Sequence, residues 1–136
     1  MIVLDTHVLI WIVRDDPKLG RDARSLIDEA AATTGLIVPA FCAWEVAQIE
    51  KRQTLTFEGG ILAWFSRILA TPGFRLSPLV PDIAIGSVML DWAHKDPADR
   101  IMVATAHHHN MPLMTADGPI LAHADAGHVE AIDARR

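Results

Sequence analysis

The chain has 136 residues, 51% of them apolar and 21% charged, a balance that fits a globular protein with one good core. Its formal net charge of −5, from 12 Lys plus Arg against 17 Asp plus Glu, excludes a broad basic field for nucleic acid or anionic lipid, so any phosphate-backbone contact must be local. A lone cysteine, Cys42, excludes an internal disulfide and suits a reducing compartment, which makes the cytoplasm the expected location.

The first stretch, "MIVLDTHVLIWI", is apolar but is neither a leader nor a membrane span. It lacks basic residues ahead of it, carries Asp5 and His7 in its middle, and stops at Arg14-Asp15-Asp16, too short to cross a bilayer. A mature, soluble protein is expected. Ile2 to Leu4 reads as a short strand buried on both faces, as in a parallel sheet, with a helix after it. "RDARSLIDEAAA" at 21–32 reads as a helix, and "LIVPA" at 36–40 as a second strand ended by Pro39. "AFCAWEVAQIEKR" continues in helical composition, and "GILAWFSRILA" at 60–70 spaces Ile61, Leu62, Trp64, Phe65, Ile68 and Leu69 as a buried helix face. Further helices are expected at 81–93 and 97–109, a strand within "PLMTAD" at 112–117, and a last strand in "HVEAI" at 128–132. Gly59-Gly60 and Pro72-Gly73 read as turns. The alternation predicts an α/β fold of three layers with a central, mainly parallel sheet. With no repeat, low-complexity tract or convincing linker, residues 1–136 read as a single domain.

Acids occupy the positions where such a sheet binds ligands, beyond the carboxyl ends of its strands. Asp5 follows "IVL" and Asp117 follows "PLMTA", so residues from distant parts of the chain emerge on one edge. That position answers the problem Asp5 poses, since a lone carboxylate inside an apolar run is costly. Glu45, early in the helix after the second strand, and Asp99, in the first turn favoured by Pro97, can project over the same edge. Two carboxylates about 5 Å apart repel by roughly 3 kcal/mol at an effective dielectric near 20, so such a group needs protons or a cation. Oxygen ligands without His or Cys suit Mg²⁺ or Mn²⁺, with a water as nucleophile and phosphate as substrate.

These residues resemble those of a PIN-domain ribonuclease, specifically a VapC-type toxin of bacterial toxin–antitoxin pairs. The resemblance rests on "LDTHVLIW" at 4–11, "WEVAQIEKRQTL" at 44–55, "HKDPADRIMVATA" at 94–106 and "LMTAD" at 113–117, and covers nearly the whole chain. It implies an acidic site of Asp5, Glu45, Asp99 and Asp117, with Asp5, Asp99 and Asp117 on the metal and Asp96 an extra acid. Thr6 and Thr115 match small hydroxyl positions that orient carboxylates or water. It further implies Mg²⁺- or Mn²⁺-dependent cleavage of RNA to a 5′-phosphate and a 3′-hydroxyl, a homodimer, and a VapB-like antitoxin in a groove around 44–70. An arginine of that partner would enter the acidic pocket and displace the metal. The chain departs from the pattern at Cys42, where many relatives have serine, and at Gly118-Pro119 directly after Asp117.

Plainer readings stand beside these. Asp96 with Asp99 reads equally as helix capping, Glu45 as a solvated helix residue, and Asp117 as part of a turn. "HHH" at 107–109 cannot close on one ion, because successive helical side chains diverge by about 100°, and is expected to supply favourable charge at a helix C-terminus. His7 and His94 flank acidic motifs as RNA contacts, carboxylate partners or structural histidines. Lys51, Arg52, Lys95 and Arg100 are the candidate phosphate contacts, and Trp11, Trp44, Trp64 and Trp92 are read as core or interface. A haloacid-dehalogenase-like phosphatase would want an aspartate where His7 stands. A receiver module would want a lysine after the last strand, where Asp133-Ala134-Arg135-Arg136 follows instead. A non-catalytic PIN-fold binding module is the remaining alternative, and the intact acidic set argues against it.

Overall fold

Three apolar runs become strands buried at every residue, and they form the middle of the sheet. A computed structural model describes residues 1–136. The elements are β1 (Ile2–Leu4), α1 (Thr6–Arg14), α2 (Arg21–Ala32), β2 (Leu36–Pro39), α3 (Phe41–Lys51) and α4 (Ile61–Ala70). They continue with β3 (Phe74–Ser77), α5 (Pro81–Met89), α6 (Pro97–His109), β4 (Leu113–Thr115), α7 (Gly118–Asp125) and β5 (Ala131–Asp133). All strand pairs are parallel, in the order β3-β2-β1-β4-β5. With helices over the sheet this is the expected three-layer α/β fold, and its main core is one cluster of 28 buried apolar residues.

The strand order matters for the site. The chain winds from β1 outward to β2 and β3, then returns to place β4 on the other side of β1. β1 and β4 therefore flank the point where the winding reverses, the place where an open parallel sheet leaves a crevice. Asp5 leaves the end of β1, and Asp117 lies two residues beyond β4.

Several boundaries differ from expectation. β3, unread in the sequence, is an edge strand, with Arg75 and Leu76 exposed and Ser77 buried. Gly73 turns the chain into it with φ +93°, and a Cβ there would lie 2.4 Å from the carbonyl oxygen of Ala31. Pro39 ends β2 as expected, while still pairing in register with Ser77. The helix expected over 81–93 stops at Met89, where Arg100 gathers the backbone carbonyls on both sides of the helix end. Its guanidinium donates to the oxygens of Ser87, Val88, Leu90, Trp92 and His94 at 2.6–3.1 Å. Gly118-Pro119 opens the unforeseen α7, since proline suits the first helical turn. The last strand sits at 131–133, not 128–132, and Leu62 of α4 faces solvent at 82% exposure instead of joining Trp64, Phe65 and Ile68 inside.

The histidine run also behaves differently. His107 Nε2 bonds the carbonyl of His128 at 2.8 Å, and His109 Nε2 pairs with Ser77 Oγ at 2.8 Å. Burial and then His108 push the His109 pKa down, so that ring is not a cation serving the helix terminus at neutral pH. No helix is long and apolar enough to cross a membrane.

Candidate active site

Three carboxylates reach the crevice as helix N-caps. Asp5 caps α1, its Oδ1 accepting the N–H of Thr6 at 2.8 Å. Asp96 caps α6 through the N–H groups of Ala98 and Asp99 at 2.9 and 3.4 Å, so the capping reading of this residue is satisfied by geometry. Asp117 caps α7, its Oδ2 accepting the N–H of Ile120 at 3.0 Å and its own N–H donating to Thr115 Oγ1 at 3.0 Å. A capping acid is held by the partial positive charge of its helix end, which offsets part of the repulsion among the group.

Two further acids come from helix bodies. Glu45 on α3 accepts a 2.5 Å hydrogen bond from the hydroxyl of Thr6. Asp99, in the first turn of α6, shares a 2.6 Å hydrogen bond with His94 Nε2. Together Asp5, Glu45, Asp96, Asp99 and Asp117 line one cleft of about 430 Å³, with His7, Trp11, Ala116, Gly118 and Arg135 completing the wall. The ligand atoms of His94, Asp96 and Asp99 lie within 4.8 Å of one another. Thus every acid singled out in the sequence reaches the same cleft.

The threonines take up the orienting contacts expected of them. Thr115 Oγ1 donates to Asp5 Oδ2 at 2.6 Å, so both oxygens of this buried carboxylate, 8% exposed, are hydrogen-bonded. That is the compensation a carboxylate in an apolar run requires. Cys42 lies wholly buried with its thiol 3.9 Å from the carbonyl of Leu4, and burial pushes its pKa well up, so it stands under the site as a neutral group.

Electrostatics reports the crowding. Burial raises the Asp5 pKa against the bonds from Thr115 and Thr6, and Asp117 adds to the rise. Burial, opposed by Thr6 and reinforced by Asp5, Asp99 and Asp96, pushes Glu45 from 4.5 up to about 7. Burial, opposed by His94 and reinforced by Asp117, Asp96 and Asp5, pushes Asp99 from 3.8 up to about 6. Each carboxyl thus resists ionising partly because the others are present, and hard oxygen donors in this state fit a divalent cation.

The candidate cations fare unevenly. Arg100 is consumed by backbone carbonyls and cannot meet phosphate, which corrects its sequence reading. Lys51, Arg52 and Lys95 are exposed. Sequence reasoning missed Arg135, which lines the cleft from the segment after β5, and left open the bond of His94 to Asp99. Trp11 and Trp64 are buried and Trp92 stacks on His123 at 4.3 Å, whereas Trp44 is 55% exposed and stacks on Phe41 at 5.0 Å.

A parallel α/β sheet with a carboxylate-lined cleft at its reversal point defines the class: an α/β domain with an acidic site at the carboxyl ends of its strands. The chain belongs to the PIN domain family, whose model matches residues 2–126. Among curated proteins it is similar to Ribonuclease VapC22 of Mycobacterium tuberculosis (strain ATCC 25618 / H37Rv), 28% identical over 123 residues, which is 90% of this chain and 91% of that protein. Among solved structures, FitAcB from Neisseria gonorrhoeae is 22% identical with TM-score 0.64, covering 98% of this chain and 97% of that one. A toxin-antitoxin complex from Klebsiella pneumoniae is 20% identical with TM-score 0.60, over the same shares. These last two likenesses are of fold.

Proposed function

We propose that the chain is a metal-dependent endoribonuclease toxin, hydrolysing RNA phosphodiester bonds and inhibited by a cognate VapB-like antitoxin. The observation that carries the reading is the meeting of Asp5, Glu45, Asp96, Asp99 and Asp117 in one cleft at the reversal point. The relative named a ribonuclease and the fold neighbour described as a toxin-antitoxin complex support the same choice.

Asp5, Asp99 and Asp117 would hold Mg²⁺ or Mn²⁺, with Asp96 a lesser candidate. The ion supplies Lewis-acid stabilisation of the phosphate and lowers the pKa of water. Thr115 fixes the Asp5 carboxylate, and His94 fixes one oxygen of Asp99. Glu45, pushed up to about 7 and held by Thr6, orients the attacking water and takes its proton at neutral pH. The water oxygen bonds phosphorus, the bond from phosphorus to O3′ breaks, and the leaving oxygen takes a proton from solvent, giving a 5′-phosphate and a 3′-hydroxyl.

Residues 1–136 act as a single domain and work in the cytoplasm, where RNA and partner are present. The antitoxin segment docks along α3, where Phe41, Trp44 and Ile49, with Pro97 and Ala98 at the start of α6, line a groove that shares His7, Glu45 and Asp96 with the acidic cleft and takes no residue from α4. A homodimer covers part of the exposed apolar surface, which includes Ile85, Val88 and Met89 of α5.

The test is incubation with total cellular RNA plus Mg²⁺ or Mn²⁺, a chelator control, and sequencing of new ends. Cleavage abolished by chelator and by Asp5→Asn, with the fold intact, is the expected result. Cleavage undiminished in Asp5→Asn rejects the site, and cleavage indifferent to chelator rejects the metal.

A further inference from the structure

We infer that Arg135, with Lys18 against the same Trp11 ring, forms the contact by which this acidic protein grips an RNA backbone phosphate beside its cleft. The inference rests on the ribonuclease reading above and names the substrate group that reading leaves without a cationic partner.

A cleft lined by five carboxylates repels a polyanion, and the net charge of −5 offers no general attraction. The metal would meet the reacting phosphate, so a neighbouring phosphate must find its cation on the protein at the cleft itself. Arg135 is the one Lys or Arg in the cleft wall. It forms no ion pair with the acids around it, since the arginine salt bridges run from Arg21, Arg24 and Arg136 to Asp22, Asp15 and Asp133. One guanidinium nitrogen donates to the carbonyl of Ala116 at 2.7 Å, next to Asp117, and the group lies 6.0 Å from the centre of the Trp11 ring. The Lys18 ammonium is also 6.0 Å from that ring. Trp11 thus has a cation on each of two contacts, a short basic stretch adjoining the acids. A guanidinium anchored through one nitrogen keeps the others for the planar, bidentate contact that phosphate favours.

The position is built, not incidental. Asp133 Oδ1 accepts the N–H of Arg135 at 2.9 Å, and the N–H of Ala134 reaches the carbonyl of Thr115 at 2.9 Å. The carbonyls of Ala134 and Arg136 accept from Gly20 and Asp22, each at 2.9 Å, at the start of α2. Residue 20 must be glycine for this to happen, because a Cβ there would lie 2.1 Å from the carbonyl carbon of Arg136 and 2.5 Å from that of Arg135. Three backbone–backbone hydrogen bonds, to Thr115 of β4 and to Gly20 and Asp22 at the start of α2, and one to the Asp133 carboxylate therefore hold the arginine's segment at the wall.

The test uses the full chain carrying Asp5→Asn, so that RNA is not cut, with a fluorescein-labelled random-sequence RNA 12-mer read by anisotropy across a salt series. Arg135→Gln should weaken binding several-fold and reduce the slope of log K against log salt by about 0.7, the value for one phosphate contact on a single strand. Arg135→Lys should restore the slope and only part of the affinity, and Lys18→Gln should weaken binding less. Mn²⁺ affinity, measured by calorimetry with Asp5 intact, should be the same in Arg135→Gln as in the parent. Unchanged RNA affinity and slope in Arg135→Gln overturns the inference while leaving the ribonuclease reading standing. Altered Mn²⁺ affinity with unchanged salt slope also overturns it, by making Arg135 a support for Asp117. If the parent neither binds this RNA nor cleaves cellular RNA with Mn²⁺, reading and inference fall together.

Discussion

Replacing Glu45 by Gln should stabilise the metal-free protein at neutral pH while impairing catalysis. In the folded chain burial and then neighbouring acids push this carboxyl from 4.5 up to about 7. Below about 4.5 it is protonated both folded and unfolded, and its contribution to stability is fully present; that contribution is lost as pH rises through about 7. Gln carries no such loss, so the difference between variant and parent should be near zero at pH 4 and reach its plateau by pH 8. At 1.36 kcal/mol per unit of pKa, the rise sets an upper bound of about 3 kcal/mol. Partial exposure and solvent screening reduce this to about 1.5 kcal/mol. Thr6 bonds a neutral amide less well than a carboxylate, which takes back about 0.5 kcal/mol. The net gain of about 1 kcal/mol corresponds to roughly 3 °C in Tm for a chain of this size. Thermal unfolding by circular dichroism at pH 4.5 and pH 8 in chelator measures it, and saturating Mn²⁺ should then raise the parent more than the variant. A variant no more stable than its parent at pH 8 in chelator would refute the claim that uncompensated charge collects at Glu45.

Thr115→Val keeps the shape but removes the donor to Asp5 and the acceptor for the Asp117 N–H, so stability should fall by about 1.5–3 kcal/mol. A Tm change under about 2 °C would contradict that. Asp96→Asn retains a good N-cap and should leave Tm within about 2 °C, whereas Asp96→Ala should cost about 1 kcal/mol. Severe loss of cleavage in Asp96→Asn at unchanged Tm would move this residue from cap to ligand. His94→Ala releases Asp99 Oδ2 and should weaken Mn²⁺ binding roughly tenfold by calorimetry, with His94→Gln recovering part of the loss. Equal Mn²⁺ affinity in all three proteins would show that His94 does not orient Asp99.

The strands legible in the sequence are those whose burial is total. Ile2–Leu4, Leu36–Pro39 and Leu113–Thr115 are enclosed on both faces, so their composition alone betrays them. β3 escaped because an edge strand mixes Phe74 and Leu76 with Arg75 and Ser77, with no run to find. The acids were legible because a carboxylate after an apolar strand has few structural excuses. Their supports were not: Arg100 binding five carbonyls, His94 meeting Asp99, and Arg135 reaching the cleft from beyond β5 all depend on how distant segments pack. Arg100 shows the hazard, since a basic residue beside an acidic motif looked like a phosphate contact and is spent on shaping the loop after α5.

The same carboxylates that would serve chemistry also start helices, and this explains how so much negative charge coexists with a folded core. Asp5, Asp96 and Asp117 each spend one oxygen on amides at a helix N-terminus, where the dipole offers about half a positive charge. Asp96 and Asp117 keep their other oxygen for the cleft, so capping orients these acids without using them up. Glu45 has no such helix end, lying five residues into α3, and its carboxyl is pushed up to about 7. Asp99, within the first turn of α6 and hydrogen-bonded to His94, is pushed up only to about 6. The helix ends thus neutralise part of the cluster, and the remainder must be met by protons at low pH or by a cation at neutral pH. A protein that relies on the second answer gains stability from its cofactor in the same place where it gains activity.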